Sequence, residues 1–141
     1  LAANLPIITH QRNVNFVRNS GTVRKAIRPD ALSRSGRSSR SAITIVEDSL
    51  VVGTGEMRVV VYRLPTAHAE GLLGIYVPAA KILFQSDVVN ANPNPPAAGS
   101  AELIKFVRAR GLTVDRVAGG HGLVLACADV ERAATPPTSA P

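Results

Sequence analysis

The sequence predicts an α+β fold, a mainly antiparallel sheet with flanking helices. Three observations predict it. Short β-branched runs separated by turns, most of them bearing Gly or Pro, fill residues 42–86, the pattern of strands joined by short turns. One later segment, residues 100–111, carries an apolar face at helical spacing. The chain is 45% hydrophobic but only 4% aromatic, with no Trp, so its core is built from close-packed Val, Leu, Ile and Ala. At 141 residues it is long enough for one domain with a real core and too short for two.

The elements follow in chain order. Pro6 opens a short run, Ile7-Ile8-Thr9, that reads as a buried strand closed by His10. Residues 11–19 place Val14, Phe16 and Val17 at loosely helical spacing and end near Asn19-Ser20-Gly21. Residues 22–34 put Val23, Ile27, Ala31 and Leu32 on one face, and Pro29 interrupts a helix or starts a second one. Residues 33–41, SRSGRSSRS, have no apolar residue and read as a flexible Ser/Arg loop. Residues 42–52 read as a strand and the start of another, with a turn at Glu47-Asp48-Ser49. Residues 56–63 form a strand around Val59-Val60-Val61. Residues 72–77 and 82–86 make a hairpin about the turn Pro78-Ala79-Ala80-Lys81, so a meander is expected.

The proline-rich stretch 90–99 is an irregular loop, because proline fixes φ and removes a donor. In the helix at 100–111, Ser100 is the expected cap, Leu103, Ile104, Phe106 and Val107 the apolar face, and Gly111 the stop. Residues 114–118 form a short strand leading into Gly119-Gly120-His121-Gly122. Residues 123–134 read as a final helix, and residues 135–141 as a disordered tail. The expected organisation is one domain over 1–134 followed by that tail.

Charge and cysteine usage exclude several classes. The net charge of +6 raises a nucleic-acid partner. Three Lys stand against thirteen Arg, however, a bias that base composition alone produces, and no aromatic residues interleave with them as a stacking platform would require. A nucleic-acid interface is therefore not the expected role. The single cysteine, Cys127, rules out an internal disulfide framework and a CxxC site. No apolar run approaches the ~18 residues of a membrane helix, and no signal peptide is recognisable. The expected location is cytoplasmic, with no membrane partner. The first residue is Leu, which suits a processed or truncated product.

The chemistry-bearing residues fall at strand ends. Zinc sites in hydrolases use His nitrogen and carboxylate oxygen and leave a position open for water. His68 lies in a loop after a strand, Asp87 follows the strand ILFQS, and His121 sits in a glycine-rich loop whose small neighbours let the backbone crowd a metal. Each alone has an ordinary explanation: a loop hydrogen-bonder for either histidine, a turn or cap residue for Asp87. The ordered set carries the weight. His10 is a further histidine, available in a dimer for completing a ligand shell. A metal-free serine hydrolase finds no support, since there is no GxSxG elbow and Ser86 has no assigned base.

Three motifs together resemble the second half of the metallo-β-lactamase superfamily. Thr66-Ala67-His68-Ala69-Glu70-Gly71 is similar to its His loop, TPGHTxGS. Leu83-Phe84-Gln85-Ser86-Asp87 is similar to its LFxGD element, and Gly119-Gly120-His121-Gly122 to its late GHG loop. The likeness runs from about residue 6 to 133. It implies a half or truncated αββα sandwich and a hydrolase of esters, lactones, amides or thioesters that uses a zinc-bound hydroxide. It implies His68 as a ligand of one zinc, Asp87 as a bridging carboxylate and His121 as a ligand of a second zinc, with Asp87 and His121 the catalytic pair. One or two zinc ions and a small-molecule substrate follow from it.

The sequence departs from that pattern in four places. Ala67 and Ala69 replace Gly and Thr, Ser86 replaces Gly, and the HxHxDH signature that supplies most of the remaining ligands is absent. One half of such a sandwich presents an apolar sheet face that needs covering, so a homo-oligomer or a complementary N-terminal segment is expected. The contrasting expectation is a non-catalytic binding or assembly module that uses the basic residues 33–41.

Overall fold

A computed structural model describes residues 5–20, 27–29, 31, 34, 42–89 and 97–135. Its contacts divide into two compact units, Leu1–Glu47 and Asp48–Pro141. The expected helix over 22–34, the Ser/Arg run, most of the proline-rich stretch and the tail fall wholly or mainly outside the described residues.

In the first unit, β1 (Ile7–Thr9) pairs in parallel with β2 (Ile43–Ile45), Ile8 opposite Thr44. The first strand exists where its β-branched run lies, but only Thr9 is buried and Ile8 is exposed, so it is covered on one face only. A 3-10 turn, Gln11–Asn13, leads into α1 (Val14–Ser20). His10 caps that turn: the Arg12 N–H donates to His10 Nδ1 at 3.2 Å.

The second unit holds a six-stranded sheet in the order β3 (Ser49–Val52), β4 (Val59–Arg63), β5 (Leu73–Val77), β6 (Ile82–Phe84), β7 (Arg116–Ala118) and β8 (Val124–Ala126). Four of its five pairings are antiparallel. The fifth, β6 with β7, is parallel, which the meander reading did not foresee. A parallel neighbour needs a crossover of about a dozen residues or more, and α2 (Ala97–Ala109) supplies it.

Three boundaries move. Gly55–Met57 forms a 3-10 turn instead of opening β4. Gly53, at φ 78°, makes that turn possible, because a Cβ there would lie 2.6 Å from the Met57 carbonyl oxygen. The apolar run 123–134 is β8 followed by α3 (Cys127–Ala134) rather than one helix. A short apolar run does not by itself distinguish strand from helix, and Val124 to Ala126 have β7 to pair with. Helix α2 starts at Ala97, so Ser100 lies in its first turn and is not the cap. Ser100 is fully buried, and its hydroxyl has no partner among the described residues.

The core lies on one sheet face. Tyr76, Leu83, Val117 and Leu125 from successive strands meet Leu103, Ile104, Phe106 and Val107 of α2 and Cys127 and Val130 of α3. These are the positions the apolar periodicities select. At the rim, Arg110 pairs with both oxygens of Asp48 and stacks over the Tyr62 ring, which meets Phe106 edge-on. Period-2 alternation sends the intervening residues to the opposite face. There Ile75, Phe84, Ala118 and Val124 form one register-matched row, in which Ile75, Phe84 and Val124 are exposed. No helix among the described residues is long and apolar enough to cross a membrane.

Candidate functional site

The sheet register decides where the three candidate residues lie. Phe84 on β6 is paired with Ala118 on the parallel β7, and Asp87 and His121 each stand three residues beyond that pair. Two hydrogen bonds continue the pairing past the strand ends: Gln85 N–H to the Ala118 carbonyl at 2.9 Å, and Gly120 N–H to the Ser86 carbonyl at 3.0 Å. Gly120 permits the approach, because a Cβ there would lie 3.2 Å from Ser86 Oγ and 3.3 Å from its carbonyl oxygen. The two loops therefore leave the sheet side by side, at the carboxyl ends of neighbouring parallel strands, where open α/β sheets place ligands. The 64–72 connection joins β4 to β5. Arg63 pairs with Leu73, and β5 runs antiparallel to β6, so His68 is carried at this same end of the sheet.

Asp87 and His121 come together. His121 Nε2 lies 3.3 Å from Asp87 Oδ1. Asp87 Oδ2 accepts a hydrogen bond from Ser86 Oγ at 2.8 Å, so one carboxylate oxygen is held by the protein and the other faces the imidazole. Both side chains are open to solvent, His121 at 78% and Asp87 at 37%. His68 joins them in lining a cavity of about 270 Å³ together with Ser86. A neighbouring cavity of about 390 Å³ is lined by His68, Asp87, Thr66, Gly99 and Glu102 among others.

Each loop has its own anchor. Gln85 is fully buried directly before the Asp87 turn. Its Oε1 accepts from the N–H groups of Val88 at 2.7 Å and Val89 at 3.0 Å, and its Nε2 donates to the Val89 carbonyl at 2.7 Å. The His68 loop is tied to α2: Thr66 Oγ1 donates to Glu102 Oε2 at 2.6 Å, and Ala67 N–H lies 3.3 Å from both Glu102 oxygens. His68 N–H then donates to Thr66 Oγ1 at 3.1 Å.

The spacing of these donors bears on whether they fit a metal ion. Two donors at ~2.05 Å from a tetrahedral ion stand roughly 3.3 Å apart, which is the His121–Asp87 separation. That pair fits one edge of a coordination shell, with donor types that suit such an ion. The full set does not close: among the described residues no three His, Cys, Asp or Glu side chains cluster as a metal cage requires. His68 faces the same cavity without completing a three-donor group. His10 belongs to the other unit and its Nδ1 is engaged in capping. The serine-nucleophile alternative lacks its contact, since Ser86 gives its proton to Asp87 rather than to an imidazole.

Gln85 and Glu102 are site residues that the sequence reading passed over, and Ser86, weighed there as a nucleophile, instead donates to Asp87. Gln85 left a signal: alternation puts Leu83 inward and Phe84 outward, so a polar residue next in line faces the core and needs partners there. Glu102 left none, because its partners belong to a distant loop.

No family model matches the sequence, and no curated protein matches it. Solved structures do. A metallo-β-lactamase from Pontibacter korlensis superposes with a TM-score of 0.57 at 16% identity over 89% of this chain and 54% of that one. An archaeal metallo-β-lactamase superfamily protein from Sulfolobus tokodaii superposes with a TM-score of 0.54 at 14% identity, over 90% of this chain and 56% of that one. A metal-soaked flavodiiron core from Synechocystis reaches 0.59 at 13% identity, over 90% of this chain and 35% of that one. At these identities the likeness shows the fold: the chain has the architecture of part of a metallo-β-lactamase domain, and it spans 54%, 56% and 35% of the three matched chains.

Proposed function

We propose that the chain forms part of a metal-dependent hydrolase of the metallo-β-lactamase fold, acting on a small ester, lactone, amide or thioester. The observation that supports this reading is the His121–Asp87 edge, a nitrogen and an oxygen at ligand spacing beyond adjacent parallel strands of that fold. A bound zinc ion supplies a Lewis acid and lowers the pKa of its water toward neutrality.

The chain's own residues do the rest. His121 Nε2 and Asp87 Oδ1 offer the two donors, and the Ser86 hydroxyl fixes the Asp87 carboxylate through its other oxygen. His68 is the third donor in this reading, on the shared cavity wall. The adjoining cavities give a small substrate room beside the pair. The ligands still lacking come from a second copy of the chain or from a complementary segment. The same partner covers the apolar row of Ile75, Phe84 and Val124.

A second reading is an iron-dependent redox enzyme. It is favoured by the likeness to a flavodiiron core, and His and carboxylate donors suit iron as well as zinc. Metal analysis of the chain purified under anaerobic conditions, followed by turnover of an ester reporter, separates the two. Zinc with turnover that His121→Ala abolishes supports the hydrolase. Bound iron without esterase activity supports the second reading, and a metal-free protein whose thermal stability is unchanged by a chelator removes both.

A further inference from the structure

The geometry points to Glu102 as the positioning residue for His68. It acts from helix α2 by holding the backbone of the His68 loop against the Asp87 loop. This rests on the reading of His68 as a metal donor.

Two contacts make α2 the common reference for both loops. At its first turn, Gly99 lies so close to Val88 that a Cβ would overlap the Val88 carbonyl oxygen, which sets the helix directly against the residue after Asp87. One turn later, Glu102 accepts from Thr66 Oγ1 at 2.6 Å and from Ala67 N–H at 3.3 Å. Residues three apart on a helix share a face, so Gly99 and Glu102 address the two loops from one side of α2. Both line the cavity that His68 and Asp87 share. Thr66 relays the constraint by accepting the His68 N–H.

The contacts are also economical in stability. Glu102 and Thr66 are only half-buried and Ala67 is exposed, so these bonds contribute little to the global fold compared with buried ones. What they determine is where His68 begins. Glu102 touches the loop backbone and the Thr66 hydroxyl rather than the His68 ring, so its loss should alter metal affinity by about two- to tenfold, the factor of a modest hydrogen bond.

The test uses the chain with Zn2+ alone, titrated against a chromogenic chelator, beside amide hydrogen exchange on the metal-free protein. Glu102→Ala should weaken Zn2+ binding about two- to tenfold, and should add nothing once His68→Ala is present. Glu102→Gln, whose amide oxygen still accepts from Thr66, should restore most of the affinity. In exchange, the Ala67 and His68 amides of Glu102→Ala should speed up about two- to tenfold, the factor a single modest hydrogen bond provides. Val88 and Val89, held by Gln85, should keep their rates.

Unchanged Ala67 and His68 exchange overturns the positioning role. So does an equal loss of affinity with and without His68. If His68→Ala weakens Zn2+ binding and Glu102→Ala does not, the positioning role alone fails. If His68→Ala binds Zn2+ like the wild type, the donor reading fails and takes this inference with it.

Discussion

His121 Nε2 stands 3.3 Å from Asp87 Oδ1 because β6 and β7 run parallel and in register, and each loop reaches the same distance past the paired residues Phe84 and Ala118. The pair is a product of strand register rather than of local sequence.

If both residues serve one ion, their removal should not add. Asp87→Ala and His121→Ala should each weaken Zn2+ binding at least about tenfold. The double variant should lose much less than the two single losses combined, because either change already breaks the edge. Chelator competition measures this, and additive losses would place the two residues on separate ions.

Gln85 should behave as a core residue of the Asp87 loop. Gln85→Leu keeps the volume but leaves two buried N–H groups and one buried carbonyl without partners. At ~1–3 kcal/mol for each unsatisfied group, the loss should be at least about 3 kcal/mol. Urea unfolding of the variant reads it directly, and a loss under about 1 kcal/mol would mean the loop is held by other means.

Gly99→Ala should be worse than an ordinary glycine-to-alanine change in a helix. In a free helix the change gains about 1 kcal/mol. Here the new methyl meets the Val88 carbonyl, so the helix must shift away from the loop. We expect a net destabilisation of about 1–3 kcal/mol, together with weakened metal binding. A stabilised variant would show that α2 does not clamp the Asp87 loop.

The Asp48–Arg110 pair carries a pH signature. The hydrogen bond from the Arg110 guanidinium holds the Asp48 carboxyl below its ordinary value of 3.8. A group lowered in the folded state contributes stability above its unfolded pKa and loses it as pH falls through the folded one. Wild type should therefore exceed Asp48→Asn in Tm at neutral pH, with the gap closing as pH drops below the usual carboxylate range. Arg110, raised chiefly by the same bond, contributes throughout that interval. Thermal melts at neutral pH and below the carboxylate range compare the two, and a gap independent of pH would show that the pair is screened out by solvent.

Much of this protein is local and was legible without coordinates. The β-branched runs around Val59–Val61 and Leu73–Val77, the turn at Pro78–Lys81 and the face of Leu103, Ile104, Phe106 and Val107 follow from period and turn chemistry, and the structure has them. His68, Asp87 and His121 could be placed at strand ends for the same reason. What the tertiary structure decided is non-local. The parallel pairing of β6 with β7 brings Asp87 to His121, and among the described residues His68 completes no three-donor cluster with them. Antiparallel pairing with β7 takes Val124–Ala126 into the sheet, where an apolar run alone suggested helix. Gln85 and Glu102 acquire their roles from partners on other segments. Periodicity records how a residue sits relative to its own chain neighbours, but a hydrogen bond or a ligand edge depends on which distant backbone the fold sets beside it.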